Sequence, residues 1–412
     1  MTRADIRAYF ETEAAAHPVP AGLRESLRQP EQALDAAPAR TRWPAMVAAF
    51  VAVALAAGLV AIGTYERNLN RSAPVVGPKP SPIATSLPGN TNRLVEIDFV
   101  DSSTGFALLC AVPGGNGNCQ YSTSSTTDAG VHWSKPVKVG PRVTQGDSGH
   151  HIHFANRRDG VMYGNSTAYV THDGGRTWSA LKMKFLEIVS IVGTSPMWMV
   201  MDPCDKGVVC SFQILKSTDG ARTWSVASAL PSWFVPAQVV AFGDGGLVVS
   251  TYGTGDMMIS RDAAATWSPI AGRCRADTLA NRIGTADGAE IWQMCTPMPP
   301  DPSHSTLPWG NAVEYTQDGG ANWIGRALPA GTTEIIAAFG SGRVIEATNT
   351  AGLLVTQDGG KTWTQVVTNP QFFGVISLSW LPDGEAWAAD VSGAIWATAD
   401  YGVTWTKLPA QP

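Results

Sequence analysis

The sequence predicts an all-β fold: a seven-bladed β-propeller of four-stranded antiparallel blades, preceded by one transmembrane helix and a short helical N-terminal segment. Charged residues make up only 15% of the 412-residue chain, while its 42 Gly and 28 Pro residues indicate many turns between short strands. A motif centred on Asp and Trp recurs seven times after the first quarter of the chain. An uncharged, mostly apolar run ahead of the first copy is long enough to span a membrane.

The repeated motif has the form Ser/Thr-x-Asp-x-Gly-x-Thr-Trp and is clearest between Thr171 and Trp178. Successive motif aspartates are separated by 45, 46, 43, 56, 40 and 42 residues. A period of roughly 40 to 50 residues with strand-like content is typical of propeller blades. The seven Asp and Trp pairs are Asp128 and Trp133, Asp173 and Trp178, Asp219 and Trp224, Asp262 and Trp267, Asp318 and Trp323, Asp358 and Trp363, and Asp400 and Trp405.

Each repeat contains four segments with the composition of short strands, which predicts one antiparallel blade per repeat. Seven blades would fill residues 94–412. The longest spacing, before Asp318, predicts an insertion at residues 296–309, between the second and third strands of blade 5. Strands are predicted in the first repeat over residues 94–100, 105–110, 119–124 and 132–139, and in the last over residues 375–380, 386–390, 394–399 and 403–408.

The chemistry of the motif predicts a structural turn. A short Asp carboxylate can accept hydrogen bonds from the amides of its own turn, and Gly at the fifth position permits a positive φ. The Trp at the eighth position is expected to pack into the gap beside the next blade. The motif should therefore fix the turn between the third and fourth strands. Ala221 and Ala264 replace the Gly in two copies, so we expect strained or altered turns there.

The motif resembles the Asp-box, or BNR, repeat, and the resemblance extends over about three quarters of the chain. The first blade reads Ile-Asp-Phe-Val-Asp-Ser from Ile97, then Gly-Phe-Ala from Gly105, followed by a box. This text is similar to that of the photosystem II stability and assembly factors and their bacterial relatives. The resemblance implies a seven-bladed, extracytoplasmic and non-catalytic platform for binding or assembly.

Residues 43–65 contain no charged side chain and are bracketed by Trp43 and Tyr65, whose rings favour the membrane interface. Arg40 and Arg42 flank the N-terminal side of this run, which favours a cytoplasmic N terminus. The prediction is a cytoplasmic helical segment at 1–42, a transmembrane helix at 43–65 and a Pro-rich linker at 66–93. The propeller would then be extracytoplasmic, on a single-pass protein of the cell membrane.

The cysteines give a second indication of compartment. All six follow the apolar run, and an even number on one side fits an oxidising environment. Their order along the chain suggests three local disulfides, although other connectivities are also possible. The suggested pairs are Cys110 with Cys119, Cys204 with Cys210, and Cys274 with Cys295.

Catalysis by the seven motif aspartates is not expected, because one aspartate on the periphery of each blade cannot cooperate with the others. Sialidases are also Asp-box propellers, and the resemblance makes sialidase activity a hypothesis to examine. Their Arg-Ile-Pro signature is absent, and Arg142 is the only arginine between Leu94 and Ile152, so an arginine clamp for a substrate carboxylate is not predicted. No catalytic residue and no cofactor are assigned, and an enzyme is the less favoured class.

The central channel offers the remaining candidate site. Asp98 in blade 1 and His151 and His153 in blade 2 fall on innermost strands and are candidate channel-lining residues. His150, at the strand edge, completes the one histidine cluster, but no third ligand beyond it is identifiable, so no metal site is predicted. Two facing carboxylates could hydrolyse a polysaccharide, and the acidic residues available for this are Asp98, Asp101, Glu187, Asp244 and Asp383.

The favoured hypothesis is a membrane-anchored binding or assembly module for an unknown protein or glycan. A net charge of −5 provides no basic field for nucleic acid, so no nucleic-acid partner is expected. One alternative is a cell-surface enzyme related to glycoside hydrolases. A second alternative is a transmembrane signalling protein whose cytoplasmic residues 1–42 report ligand binding.

Overall fold

The computed structural model contains seven four-stranded antiparallel sheets, each built from four consecutive strands. It describes residues 92–111, 119–143, 149–164, 167–185, 187–204, 211–243, 245–251, 255–271, 278–297, 312–328, 333–348, 352–366, 374–409 and 412. The predicted all-β class, blade number and strand count per blade are therefore confirmed. The predicted cytoplasmic segment, transmembrane helix and nearly all of the linker lie outside these residues, within which no helix is long and apolar enough to cross a membrane.

The strands follow one another in chain order. Blades 1 to 4 consist of β1 (Asn92–Phe99), β2 (Gly105–Ala111), β3 (Gln120–Thr126) and β4 (Val137–Lys138); β5 (His151–Phe154), β6 (Gly160–Tyr163), β7 (Ala168–Thr171) and β8 (Ser179–Ala180); β9 (Glu187–Val192), β10 (Met197–Asp202), β11 (Gln213–Ser217) and β12 (Ser225–Ala229); and β13 (Pro236–Phe242), β14 (Gly246–Thr251), β15 (Met257–Ser260) and β16 (Ser268–Ile270).

Blades 5 to 7 repeat the same pattern. They consist of β17 (Thr278–Thr285), β18 (Ile291–Pro297), β19 (Ala312–Thr316) and β20 (Ile324–Ala327); β21 (Thr333–Gly340), β22 (Arg343–Thr348), β23 (Gly352–Thr356) and β24 (Thr364–Gln365); and β25 (Val375–Trp380), β26 (Ala386–Asp390), β27 (Ile395–Thr398) and β28 (Thr406–Lys407).

The predicted fourth strands are too long. Residues 132–139 were expected to form a strand, but β4 contains only Val137 and Lys138, paired with Thr123 and Ser122. The outermost strand is hydrogen-bonded on one side only, and the residues up to and including the box Trp precede it. A short edge strand also leaves little unpaired backbone for association with other chains.

The core is divided among the gaps between blades. Within the described residues seven hydrophobic clusters occur, and each one combines residues of two neighbouring blades. The cluster between blades 7 and 1 closes the ring, and in it the Phe99 ring stacks on Trp387 with centroids 3.9 Å apart. Closure therefore relies on side-chain packing rather than on a strand exchanged between the first and last blades.

The two faces of the ring are built differently. We call the face that carries the turns between first and second strands, together with the Asp boxes, the box face. These two kinds of turn are joined within a blade, since the amide of Ala129 donates to the carbonyl of Ser103 (2.8 Å) and that of Gly174 to Arg158 (2.9 Å). We call the opposite face the loop face; it carries the connections between second and third strands and those between blades.

The box of blade 2 shows how the motif forms its turn. Asp173 Oδ1 accepts hydrogen bonds from the Thr177 amide and the Thr171 hydroxyl, both at 2.9 Å. Asp173 Oδ2 accepts the Thr177 hydroxyl at 2.6 Å, and the Thr171 hydroxyl oxygen accepts the Gly175 amide at 2.9 Å. The carboxylate thus replaces backbone partners that a tight turn cannot supply.

Two consecutive box residues, the fourth and fifth, have positive φ, as in Gly174 (75°) and Gly175 (80°). Ala221 (67°) and Ala264 (65°) adopt the same conformation where the motif has lost its Gly. The expected strain is present, but the turns are not altered, because the amides of both alanines still donate to the first hydroxyl of their box at 2.9 Å. The turns keep their hydrogen bonds and carry the cost of a left-handed alanine.

The box tryptophans pack in the direction opposite to the one predicted. Trp178 of blade 2 donates its indole N–H to Thr123 Oγ1 of blade 1 at 3.1 Å, and Trp267 of blade 4 donates to Ser228 Oγ of blade 3 at 3.0 Å. Each ring therefore fills the gap beside the preceding blade, not the next one. The turn ends at the outermost strand, and its Trp lies on the side of the sheet that faces the preceding blade.

Acid should remove the stabilisation that the boxes supply. The hydroxyl and amide of Thr223 hold the pKa of Asp219 at about 2, below its ordinary value of 3.8. The ionised carboxylate thus favours the folded state above about pH 4, and this contribution is lost as the pH falls from about 4 to about 2. The free energy of unfolding, measured by urea titration, should fall over this window.

The Asp219→Asn variant should be less stable at neutral pH and lose less on acidification. Glu187→Gln is the matched control, because Glu187 is exposed and outside every box. Equal pH slopes in Asp219→Asn and the unmodified chain would contradict this account of the boxes.

Candidate functional site

Four ionisable side chains meet at the channel between blades 1 and 2. Glu96 and Asp98 extend from β1, and His151 and His153 extend from β5. His151 Nδ1 lies 3.3 Å from Glu96 Oε1, and His153 Nδ1 lies 3.6 Å from Asp98 Oδ2. The outer pair is the more accessible, since His151 is 50% exposed and His153 19%. The structure thus brings together the predicted residues Asp98, His151 and His153.

Both carboxylates also bind the backbone of the neighbouring blade. Glu96 Oε2 accepts the amide of Ile152 at 2.7 Å, and Asp98 Oδ2 accepts the amide of Phe154 at 2.6 Å. The innermost strand of a blade has one edge without a partner strand, so its amides need other acceptors. Glu96 and Asp98 supply them, and we call such a contact a clasp.

Clasps recur at other gaps and run in the same direction around the ring. Ser377 Oγ and Ser379 Oγ of blade 7 accept the amides of Ile97 (3.1 Å) and Phe99 (2.8 Å) of blade 1. The side-chain amide of Gln238 in blade 4 binds both the N–H (2.9 Å) and the C=O (3.2 Å) of Ile283 in blade 5. In each case the side chain belongs to the earlier blade of the pair.

The electrostatics of the site follow from this partly enclosed setting. Burial raises the pKa of Asp98 above its ordinary value, against the opposing effects of the His153 charge and the Phe154 amide. Burial alone would lower the pKa of His151, but the hydrogen bond and charge of Glu96 outweigh it and raise that pKa. Arg282 of blade 5 opposes this rise through its positive charge, which places a cation within electrostatic reach of the site.

The histidine cluster does not assemble into a metal site. His151 and His153 face different carboxylates, and His153 Nε2 lies 2.7 Å from the Gly193 carbonyl oxygen of blade 3. His150 is buried on the other side, with Nε2 3.0 Å from Thr167 Oγ1 and its ring against Tyr121. In the part of the chain that the structure describes, no group of three or more His, Cys, Asp or Glu residues could hold a metal ion.

The other candidate carboxylates lie apart from this site. Asp101 is on the box face, where it accepts the amides of Ser103 (3.0 Å) and Thr104 (2.9 Å) and pairs with Arg157 (2.8 Å). Asp383 is on the same face, between β25 and β26. Glu187 begins β9 at the loop face, and Asp244 lies outside the described residues.

The first suggested disulfide is present. Cys110 at the end of β2 is bonded to Cys119 just before β3, with Cα atoms 5.5 Å apart. Cys204 is also disulfide-bonded, to a partner that is not among the described side chains. Cys210 and Cys274 fall outside the described residues, as does the side chain of Cys295, so the second and third pairs stay predictions.

Sequence reasoning missed two acidic residues. Glu96 precedes Asp98 by two positions on β1, so the alternation of a strand could have identified it as a second channel residue. Glu346 on β22 is fully buried opposite Ile336 and Leu354, and neither carboxyl oxygen has a hydrogen-bond partner among the described residues. Burial raises its pKa well above the ordinary value, which favours the neutral carboxyl.

The boxes and the ring define an Asp-box β-propeller. The BNR/Asp-box repeat family model matches residues 169–180, which contain the box of blade 2. No curated protein matches the sequence significantly.

Several solved structures resemble the ring. A YCF48 protein bound to a D1 peptide is 17% identical with a TM-score of 0.49, over 74% of this chain and 92% of that chain. YCF48 from Cyanidioschyzon merolae is 17% identical with a TM-score of 0.43, over 79% and 87% of the two chains. The GH74 enzyme of Niastella koreensis is 14% identical with a TM-score of 0.43, over 77% and 65%. Identities this low carry no information about a shared ligand.

Removing a clasp should destabilise the ring. Asp98→Ala leaves the Phe154 amide without its acceptor, and the expected loss is about 2 kcal/mol in the free energy of unfolding. Asp98→Asn keeps an oxygen that can accept the same amide, so it should lose less than half as much. Urea unfolding followed by far-UV circular dichroism measures both values.

Asp383→Ala serves as the control, because it removes a carboxylate that accepts one long hydrogen bond, from the Glu385 amide at 3.3 Å. A loss for Asp98→Asn equal to that for Asp98→Ala would show that the charge, not the clasp, provides the stability.

Proposed function

We propose that this chain is a membrane-anchored, extracytoplasmic propeller that binds a protein or glycan ligand and does not catalyse a reaction. The observation that carries the non-catalytic assignment is the use of its acidic groups. Glu96 and Asp98 accept backbone amides of the next blade at 2.7 and 2.6 Å. Asp173 and the other box aspartates accept donors of their own turns on the periphery. A hydrolytic pair needs two carboxyl groups free to face the substrate.

Binding is assigned to the loop face and the adjoining channel mouth. The connection between second and third strands varies widely among blades, from residues 349–351 in blade 6 to residues 298–311 in blade 5. The box-face turns vary much less, and in five of the seven blades the box donates a hydrogen bond to a backbone carbonyl of the neighbouring turn. Connections that differ in length and sequence on a rigid scaffold are where binding sites are usually built.

The proposed location rests on two observations. The Cys110–Cys119 disulfide favours an oxidising compartment. The uncharged run from Trp43 to Tyr65 has the length and the aromatic ends of a membrane span, with arginines on the side expected to stay in the cytoplasm.

The purified chain should release no more product from fluorogenic sialosides or a panel of polysaccharides than its Glu96→Gln/Asp98→Asn double variant. Both replacements keep a hydrogen-bond acceptor for the clasps while removing any carboxylate chemistry at the channel. Turnover that exceeds the double variant would place the chain among the enzymes. Crosslinking in native membranes, followed by recovery of the chain, would then identify the bound protein or glycan.

The anchor is tested separately. Alkaline carbonate extraction of membranes should leave the full chain in the pellet, and deletion of residues 43–65 should release it. Substitution of Leu59 by Ile, which keeps the run apolar, is the control. Release of the unmodified chain by carbonate would exclude the membrane span without affecting the assignment of the propeller.

A further inference from the structure

Three successive connections between blades carry a distinctive set of exposed side chains on the loop face. They follow β4, β8 and β12, so they lie side by side around the ring. The first carries Arg142, the second Lys182 and Lys184, and the third Trp233 and Val235, all of them exposed. We call these five residues the loop-face arc.

In the second connection, apolar residues that pack inward alternate with lysines that face outward. Leu181, Met183 and Phe185 are packed against the cluster between blades 2 and 3. The intervening Lys182 and Lys184 therefore point to solvent, where both are exposed. The partial burial of the three apolar neighbours holds the two lysine side chains on the solvent side of the connection.

The third connection holds Trp233 outward in a similar way. Leu230 and Phe234 on either side are each only 1% exposed and belong to the cluster between blades 3 and 4. The Phe234 amide donates to the Pro231 carbonyl at 2.9 Å, which closes the turn between them. Trp233 is left 67% exposed and Val235 50%. Trp233 is the only Trp among the described residues that falls in the exposed class.

The three charged residues of the arc are all positive. None of its three cations forms an ion pair with a residue that the structure describes. Among the described residues beside these connections, Glu187 at the start of β9 is an exposed acidic residue. The box aspartates lie on the opposite face, so their negative charge is kept away from the arc. A negatively charged surface with an apolar layer beneath it would complement both the cations and the indole.

The topology also places the arc on the face where the preceding chain joins the ring. β1 begins at Asn92 on the loop face, because its other end, Phe99, leads into a box-face turn. The apolar run at 43–65 precedes it by fewer than thirty residues of Pro-rich sequence. A membrane spanned by this run, as proposed above, would be tethered to the loop-face end of β1 through a linker of fewer than thirty residues.

We propose that the loop-face arc docks on the anionic surface of the lipid bilayer. Arg142, Lys182 and Lys184 would attract anionic headgroups, and Trp233 would enter the interfacial layer, where indole rings are favoured. The proposal deepens the proposed function, since it depends on a membrane anchor for its biological setting. Docking would turn the loop face, and with it the proposed ligand site, toward the bilayer, which favours a ligand that is itself held at the membrane surface.

Residues 87–412 provide the material for the test. This span is one compact unit, and all seven hydrophobic clusters lie inside it, so it carries the complete described core. Without the apolar run, any lipid binding by this fragment comes from the propeller itself. Co-sedimentation with vesicles of phosphatidylcholine, with or without phosphatidylglycerol, measures that binding, and circular dichroism checks the folding of each variant.

The fragment should bind phosphatidylglycerol vesicles at low salt, with much weaker binding to phosphatidylcholine alone and at high salt. Lys182→Glu/Lys184→Glu should reduce the affinity about tenfold or more. Trp233→Ser should also reduce it, and its effect should persist at high salt. Arg176→Glu/Lys361→Glu is the matched control, because it makes the same charge change at exposed positions of the box face. This control should retain the affinity within about twofold.

A folded fragment that ignores phosphatidylglycerol vesicles would overturn the proposal, and so would an equal loss of affinity in the two double variants. Binding of a poly-glutamate peptide without binding of vesicles would assign the arc to an acidic protein instead. Carbonate extraction of the full chain separates the two proposals. A released full chain whose fragment still binds vesicles would refute the anchor alone, while a retained chain whose fragment does not bind would refute the docking alone.

Discussion

A four-stranded antiparallel sheet cannot cover either of its own faces, and this constraint determines the rest of the structure. Each blade buries both faces against its neighbours, which is why every hydrophobic cluster is shared by two blades. An open array would leave two faces exposed to water. The stacked rings of Phe99 and Trp387 close the last gap with the same kind of contact that fills the others.

The channel edge of each blade raises a second requirement, because an innermost strand has no partner for its inward amides. Side chains of the preceding blade provide acceptors where the channel is polar, through Glu96, Asp98, Gln238, Ser377 and Ser379. The acidic clasps at blades 1 and 2 have a further consequence. Glu96 and Asp98 also lie beside His151 and His153, so four titratable side chains share one side of the channel. The backbone amides there keep their hydrogen-bond acceptors.

The Asp box links the local turn to the packing between blades. Its carboxylate and hydroxyl organise the turn, and its last residue delivers an indole into the gap beside the preceding blade. The two alanine boxes show how this arrangement tolerates change. A left-handed alanine costs about 1 to 2 kcal/mol, but Ala221 and Ala264 are almost fully buried in the adjoining clusters, and each buried methyl group returns about 0.8 kcal/mol. At Gly320 a methyl group would clash with Ile270 Cγ2, which favours glycine there.

The sequence was sufficient to predict the blades because the determinants are local. Every box places its Asp, hydroxyl and Trp within eight residues, and the period between boxes sets the blade number. It did not reveal the packing direction of Trp178 or the shortness of β4, since both depend on which neighbouring sheet the turn approaches. Glu96 was missed because its role becomes visible only when the Ile152 amide of another blade is placed beside it. Trp233 has no motif, and its exposure follows from the burial of Leu230 and Phe234.

The hydrogen bonds between the Asp boxes and the neighbouring turns explain why the two faces can serve different purposes. On the box face a longer turn between first and second strands would break its hydrogen bond to the box, and a changed box would withdraw its Trp from the gap. On the loop face the connections differ in length from blade to blade without opening the ring. The outward lysines and the exposed indole occur there for this reason. A propeller of this design places its stabilising turns on one face and leaves the other face available for recognition.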